Sequence, residues 1–250
     1  MHKLFNCDCL SGMSQLPDNS VDCVITDPPY NIGEFAKKRG YHFKQIRENN
    51  FVTAGWDNDT TENWLILMDS MFKIISTKLK IRGNVIIFCS NLKVEELRKL
   101  GTKYGFYYKT AGVWHKTNPI PRNMNLHFVS SNEFWIHFIN QKRTGTFNNN
   151  GKLLLDYYEC SVPSTKERGE CKHPTQKPLS IISSMVEILS NEGDTILDCF
   201  MGSGTTGVAA VQTGRNFIGY ETDSNYFNFA KQRIENAKIS YLKKGLTEND

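Results

Sequence analysis

Two clusters of residues in this sequence have the types and spacing that chemistry requires. Asp27-Pro28-Pro29-Tyr30 sets a carboxylate, two rigid prolines and an aromatic ring directly after an apolar run, Val21-Asp22-Cys23-Val24-Ile25-Thr26. An amino group on a heteroaromatic ring is a poor nucleophile, because its lone pair is delocalised into the ring. A carboxylate at Asp27 and the backbone carbonyl of Pro28 can accept its two N–H bonds together, drawing the nitrogen toward sp3 geometry. Pro29 fixes the chain shape, and the Tyr30 ring can stack on a flat base. Asp-Pro and Pro-Pro are also ordinary turn signals, so the motif gains meaning only from where it sits.

The second cluster lies near the other end of the chain. Thr195-Ile196-Leu197-Asp198-Cys199-Phe200 reads as a strand, followed by the glycine turn Gly202-Ser203-Gly204-Thr205-Thr206-Gly207. Glycines let a backbone turn sharply and let a ligand approach closely, and a helix starting there favours a negative group. Glu221 closes the next strand, Phe217-Ile218-Gly219-Tyr220, where an acid can accept hydrogen bonds from both ribose hydroxyls. The glycines also satisfy the dinucleotide fingerprint G-x-G-x-x-G, so this part alone is equally open to a nicotinamide oxidoreductase. Asp198 tilts the choice, since it suits a cofactor ammonium and repels a pyrophosphate. Phe200-Met201 beside the turn suits an adenine or a thioether. A zwitterionic amino-acid cofactor fits that arrangement.

Positioning both clusters calls for strands alternating with helices, as in a parallel α/β sheet. Two prolines cannot continue a central strand, so Asp27 falls at a strand's carboxyl end, where open α/β sheets place their ligands. Leu65, Met68, Phe72, Ile75 and Leu79 make one face of a helix over Glu62 to Leu79. Gly83 then opens a buried strand through Val85-Ile86-Ile87-Phe88, and Lys93 to Tyr104 is a shorter helix. Extended, aromatic-rich segments follow at Phe106 to His115 and Phe134 to Ile139. From about Lys142 to Lys172 the periodicity fades into loops. Leu179, Ile182, Val186 and Leu189 form a further helix stripe with Thr175 as its N-terminal cap. Helices over Val208 to Thr213 and Ser224 to Lys238 complete the pattern.

The bulk properties agree with one domain. The chain has 250 residues, 39% hydrophobic and 22% charged, with a formal charge of +4. That charge permits a local basic face without identifying a nucleic-acid binder. Met1 to Ser20 lacks the apolar core of a secretory signal, and Val85-Ile86-Ile87-Phe88-Cys89 is too short to span a bilayer. A soluble cytoplasmic protein with no membrane partner is expected. Seven cysteines spread through a long chain argue against a disulfide scaffold. Cys7, Cys9, Cys160, Cys171 and His173 lack the paired spacing of a metal site, so reduced thiols and no metal are expected.

Taken together, Asp27-Pro28-Pro29-Tyr30 and Phe200-Met201-Gly202-Ser203-Gly204-Thr205 resemble the DNA amino-methyltransferase family, whose members methylate adenine N6 or cytosine N4 with S-adenosylmethionine. The catalytic motif precedes the cofactor motif, as in the permuted β class. Cys7-Asp8-Cys9-Leu10, Trp114-His115-Lys116-Thr117-Asn118-Pro119 and His173-Pro174-Thr175-Gln176-Lys177-Pro178 are similar to that class as well. The resemblance implies a Rossmann-like, mostly parallel, doubly wound sheet in a single domain. It divides the chain into a catalytic half (1–116), a target-recognition or loop insertion (117–172), a cofactor half (173–240) and a tail (241–250). It places Asp8 and Cys9 at the cofactor adenine, Phe200 in the pocket wall and Glu221 on the ribose. His173, Thr175 and Asp198 fall near the methionine moiety, with Asp27 beside the transferring methyl and Gly202, Ser203, Gly204 and Thr205 forming the turn.

The acid at the head of the motif leans, by family tendency, toward adenine, with cytosine N4 as the alternative. The C5-cytosine reaction needs a cysteine nucleophile, typically in a Pro-Cys pair, and the sequence contains none. A stacked base cannot reach Asp27, so the target nucleotide of duplex DNA has to flip out. Tyr30 is one stacking surface and the Trp114 to Pro119 segment the expected second wall. The basic, aromatic stretch Ala36-Lys37-Lys38-Arg39-Gly40-Tyr41-His42-Phe43-Lys44 suits phosphate contact. Pro121-Arg122-Asn123 and the 142–172 loops can read base edges. Family analogy adds a restriction–modification setting with a cognate endonuclease and a homodimer. A DNA-binding subunit of the same fold that transfers nothing is a third reading.

Overall fold

The computed structural model describes residues 1–30, 60–121, 124–126, 128–169 and 173–247, with side chains to residue 242. The basic stretch 36–44, Arg122, Asn123 and Cys171 lie outside the described residues. Strands run over His2–Phe5 (β1), Val21–Thr26 (β2), Leu79–Cys89 (β3), Phe106–Lys116 (β4), Asn132–Asn140 (β5), Tyr157–Cys160 (β6), Thr195–Asp198 (β7) and Asn216–Tyr220 (β8). Among the described residues they form one sheet in the order β1-β8-β7-β2-β3-β5-β4-β6. Only β5 runs against the rest, pairing antiparallel with β3 and β4, while every other adjacent pair is parallel.

Helices cover both faces, which is why the central strands are apolar on both sides. Val85, Ile87 and Cys89 of β3 face α1 (Cys9–Ser14), α2 (Thr61–Lys78) and α3 (Val94–Lys103), in a core with Met13, Trp64, Met68 and Phe72. Ile86 and Phe88, the alternate positions, face α5 (Leu179–Leu189), α6 (Thr205–Gln212) and α7 (Ser224–Thr247), in a core with Met185, Val208 and Ile234. The helix after β2 therefore lies on one face and the helix after β7 on the other. Because β2 and β7 are neighbours, their carboxyl ends form the switch point where a doubly wound sheet opens a crevice.

Local chemistry explains the element boundaries. Thr60 caps α2 by accepting from the Asn63 amide at 3.1 Å, with Glu62 in the first turn and Lys78 in the last. Leu79, expected as the last apolar residue of that helix, is extended and begins β3 instead. Gly83 does not open this strand but lies inside it, where a Cβ would come within 2.9 Å of the Asp22 carbonyl.

The stretch 117–172 supplies β5 and the edge strand β6, besides the short helix α4 (Thr165–Arg168). β6 escapes the periodicity because its four residues, paired with β4 on one edge only, alternate between exposed and half-buried. Thr175 does not cap α5. That helix starts after Pro178, and the Glu167 carboxylate accepts the Leu179 amide at 2.8 Å. No helix among the described residues is long and apolar enough to cross a membrane.

Asn140, fully buried at the end of β5, donates to the Leu79 carbonyl at 2.9 Å and the Lys80 carbonyl at 3.3 Å. It thereby pins the α2–β3 junction. Asn140→Ala is expected to lower stability by about 1–3 kcal/mol, because buried carbonyls lose their donor. Urea unfolding curves that superimpose on wild type would rule this role out.

Candidate active site

A cleft of about 530 Å³ opens at the carboxyl ends of β2, β7 and β8. It is lined by Asp27, Pro28, Pro29 and Tyr30 from the exit of β2, and by Asp198, Phe200, Gly202, Ser203 and Thr205 from the β7–α6 turn. Glu221 after β8, Asp8 and Cys9 at the start of α1, and His173 and Thr175 close it. Among the expected catalytic and cofactor residues, Gly204 does not line the cleft. With φ at 78°, a Cβ there would sit 2.9 Å from the Ala230 Cβ, so its glycine serves the packing of α6 against α7.

The cofactor-side residues are held by backbone hydrogen bonds. Glu221 accepts the Gly202 amide at 2.8 Å with one carboxylate oxygen and the Asp223 amide at 2.9 Å with the other, joining the glycine turn to the end of β8. Gly202 adopts φ 52°, and a Cβ there would lie 3.0 Å from His173 Nε2. His173 packs edge-on to Tyr226 at 4.6 Å, and burial pushes its imidazole down to about 4. Asp8 caps α1 by accepting the Ser11 amide at 2.9 Å, so its turn-forming role and its place on the cleft wall coexist. Ser203 and Thr205 face each other at 3.3 Å, and Arg233 donates to the Ser203 carbonyl at 2.8 Å. Met201 is buried with its sulfur beside Gly219, and both it and the half-buried Phe200 line the cleft. Asp198 accepts from Thr26 Oγ1 at 2.8 Å and from the Phe200 amide at 3.1 Å; burial pushes its carboxyl up to about 6.

The catalytic-side motif is held more tightly than a turn requires. Tyr30 donates to Asp27 Oδ1 at 2.7 Å, and Trp64 donates to the Pro29 carbonyl at 2.6 Å. Asp27 Oδ2 is taken by Lys177, whose ammonium also lies 3.2 Å from Glu133. Lys116 pairs with the other oxygen of Glu133. Burial pushes the Asp27 carboxyl above its usual range, and Lys177 offsets only part of that.

Trp114 does not reach the cleft. It is buried in the core and donates to the Cys160 carbonyl at 3.2 Å, and Asn118 is engaged by the Val162 amide at 2.9 Å. Alternation along the 11-residue β4 does not by itself say which of its faces carries the core, which is why the sequence left the indole as a candidate base wall.

Lys177, Glu133, Lys116, Trp64 and Thr26 were missed as site residues. A signal existed for three of them. Lys116 and Lys177 stand inside the family-like segments, and Glu133 is the only acid in β5.

A switch-point cleft with a ribose-competent acid and a glycine turn on one side, and an amino-accepting Asp-Pro-Pro-Tyr on the other, belongs to a nucleoside-cofactor transferase. The match to a family model described as DNA methylase, over residues 21–232, makes it more specific: the chain belongs to this family of N6/N4-type DNA methylases and is an S-adenosylmethionine-dependent DNA methyltransferase.

The chain is 29% identical over 242 residues to the Type II methyltransferase M2.DpnII of Streptococcus pneumoniae, covering 93% of this chain and 89% of that protein. It is 28% identical over 249 residues to M.HinfI of Haemophilus influenzae, covering 92% of this chain and 67% of that protein. The crystal structure of an M1.HpyAVI–SAM complex matches with a TM-score of 0.68 at 27% identity, covering 94% of this chain and all of that one. The cytosine-N4-specific PvuII methyltransferase matches with a TM-score of 0.74 at 16% identity, covering 97% and 92%, a likeness of fold alone. Family membership removes the nicotinamide reading of the glycine turn.

The residues present fit S-adenosylmethionine. The cradle at Gly202 stays open only without a Cβ, and the Tyr220 hydroxyl is buried on the cleft wall with no hydrogen-bond partner among the described residues. Asp198 and Glu221 are acids of the kind an ammonium and ribose hydroxyls need.

Asp198 also makes stability depend on pH. Its folded carboxyl holds a proton up to about 6, whereas the unfolded one ionises lower. Stability from this group is therefore full below the unfolded value and lost as pH rises through about 6. Asp198→Asn is expected to match wild type near pH 4 and to exceed it at pH 8 by up to about 3 kcal/mol. Denaturant unfolding at the two pH values checks this, and an equal difference at both contradicts it.

Proposed function

We propose that this chain transfers the methyl group of S-adenosylmethionine to the N6 amino group of an adenine flipped out of duplex DNA. The carrying observation is the placement of Asp27 and Pro28 at the end of β2, facing the glycine turn and Glu221 across one continuous cleft. An adenine amino group set between the Asp27 carboxylate and the Pro28 carbonyl donates both N–H bonds and localises its lone pair for attack. Trp64 holds the next carbonyl, that of Pro29, which fixes the Pro29–Tyr30 peptide. Tyr30 holds Asp27 and offers its ring as a wall for the base.

S-adenosylmethionine, when bound, supplies an electrophilic methyl on a sulfonium centre. In our reading Glu221 binds its ribose, Asp8, Cys9 and Phe200 its adenine, and Asp198, His173 and Thr175 its methionine part. Gly202, Ser203 and Thr205 give it a close-fitting turn. His173, neutral because it is buried, adds no competing positive charge beside the sulfonium. After transfer the amino nitrogen carries one proton too many, and the Asp27 carboxylate is placed to take it.

Adenine is preferred because the motif begins with an acid, the form that leans toward adenine in this family. The similarity to Type II methyltransferases supports a restriction–modification setting in which a partner endonuclease reads the same DNA site. Homodimerisation rests on family resemblance.

Transfer of a labelled methyl group to mixed-sequence DNA, followed by nucleoside analysis, tests the assignment. Label is expected in N6-methyladenine. Label in N4-methylcytosine moves the target to cytosine, and none at all overturns the reading. Asp27→Ala is expected to lower transfer by about 10²-fold or more, with cofactor affinity by calorimetry within about threefold of wild type, a shift under 1 kcal/mol. Undiminished turnover in that variant would remove Asp27 from the reaction.

A further inference from the structure

The ion pairs behind Asp27 form a line: Asp27–Lys177–Glu133–Lys116, from the end of β2 through the segment before α5 to the rim of β5 and β4. Only 6% of the Lys177 side chain is exposed. A buried ammonium is costly unless it is fully paired, and a purely structural pair would need one acid. Lys177 has two, and it occupies the Asp27 oxygen that a substrate amino group would need. The other oxygen is held by Tyr30 at 2.7 Å. Of the two donors on Asp27, Lys177 is the one already engaged with another acid, at 3.2 Å, and it has the Thr175 carbonyl at 3.4 Å as well.

We propose that Lys177 is a positioning residue for the transfer reaction: it keeps the Asp27 carboxylate charged and aimed into the cleft, then withdraws along Glu133 as the target amino group arrives. This rests on the amino-transfer reading above. Lys177 thus holds the oxygen that the substrate amino group is to take, and it keeps Glu133 as its partner when it moves. Its place in the chain also links the two halves of the reaction. His173 and Thr175, two to four residues earlier, line the cofactor side, while Lys177 holds the acid on the base side.

The groups that act on Asp27 are Lys177, Glu133 from β5, Tyr30 from its own motif, Cys89 at the end of β3 and Asp198 at the end of β7. Lys116 acts through Glu133. Burial and Glu133 favour the protonated acid, and Lys177 and Tyr30 the carboxylate. Removing the lysine must therefore raise the midpoint of Asp27, and removing the Glu133 charge must lower it.

The test follows the Asp27 side-chain carboxyl by 13C NMR in the cofactor-free protein, assigned with Asp27→Asn. Lys177→Met is expected to move the midpoint up by about one pH unit or more, and Glu133→Gln to move it down. The acid limb of kcat, at saturating cofactor, moves in the same opposite directions. On that acid limb Lys177→Met is then about tenfold or more below wild type and recovers as pH rises, whereas Lys177→Arg retains the wild-type profile. Unchanged midpoints in both folded variants would falsify the proposal and leave Lys177 a structural tie. If Lys177→Met does not fold, an unmoved midpoint in Glu133→Gln overturns it alone. Should wild type transfer no methyl, the functional reading falls, while the titration still decides whether Lys177 sets the charge on Asp27.

Discussion

The hydrogen bond from Thr26 to Asp198 joins the two strand ends on which the site is built. At 2.8 Å it ties the last residue of β2 to the last residue of β7, and the Cys199 amide returns to the same hydroxyl at 3.2 Å. Asp27 follows on one side and the glycine turn on the other, so the distance between these two walls of the cleft is set here. The two strands can meet in this way because both faces of the sheet are covered by helices, which leaves their carboxyl rim as the place where polar side chains gather. A threonine answers both needs: its methyl tolerates the buried strand, and its hydroxyl both donates and accepts.

Much of this was legible in the sequence. Apolar runs ending in Asp27 and Asp198 gave β2 and β7, and the glycine pattern with Glu221 gave the cofactor side. The expected catalytic and cofactor residues except Gly204 line one cleft, while Trp114, in the segment expected as a base wall, lies in the core. What the sequence concealed has physical reasons. Gly204 and Gly202 look alike in the motif, yet one accommodates Ala230 of α7 and the other keeps a cradle open beside His173. Lys177 looks like a surface charge until β5 brings Glu133 to it. Thr175 looked like a helix cap, but the cap of α5 comes from Glu167, on a different element. In each case the deciding contact joins residues from separate parts of the fold, beyond what local spacing can report.

The charge arrangement around Asp27 also bears on cost. Two carboxylates and two ammonium groups alternate in a partly buried line, so the group is neutral as a whole while no member is neutral alone. Burial pushes Glu133 up, but Lys177 and Lys116 outweigh it and hold its carboxyl below the usual range. Burial works against the Lys177 ammonium, and its two acids more than offset that. Such a line contributes little net stability compared with an apolar core. Its presence at the mouth of a cleft marks a function that the fold alone does not require.

The reversed strand carries a further consequence. In a sheet of parallel strands the active rim receives only the residues that follow each strand. Because β5 runs the other way, its beginning lies at that rim, which is how Glu133 comes to stand beside a strand end. The same reversal makes β4 and β5 an antiparallel pair, so that the chain leaves β4 and enters β5 at the rim where β2 ends. A connection of this kind can be lengthened or rewritten at small entropic cost, while the paired strands beneath it keep their register. The surface at that rim can therefore diverge while the reacting centre stays fixed.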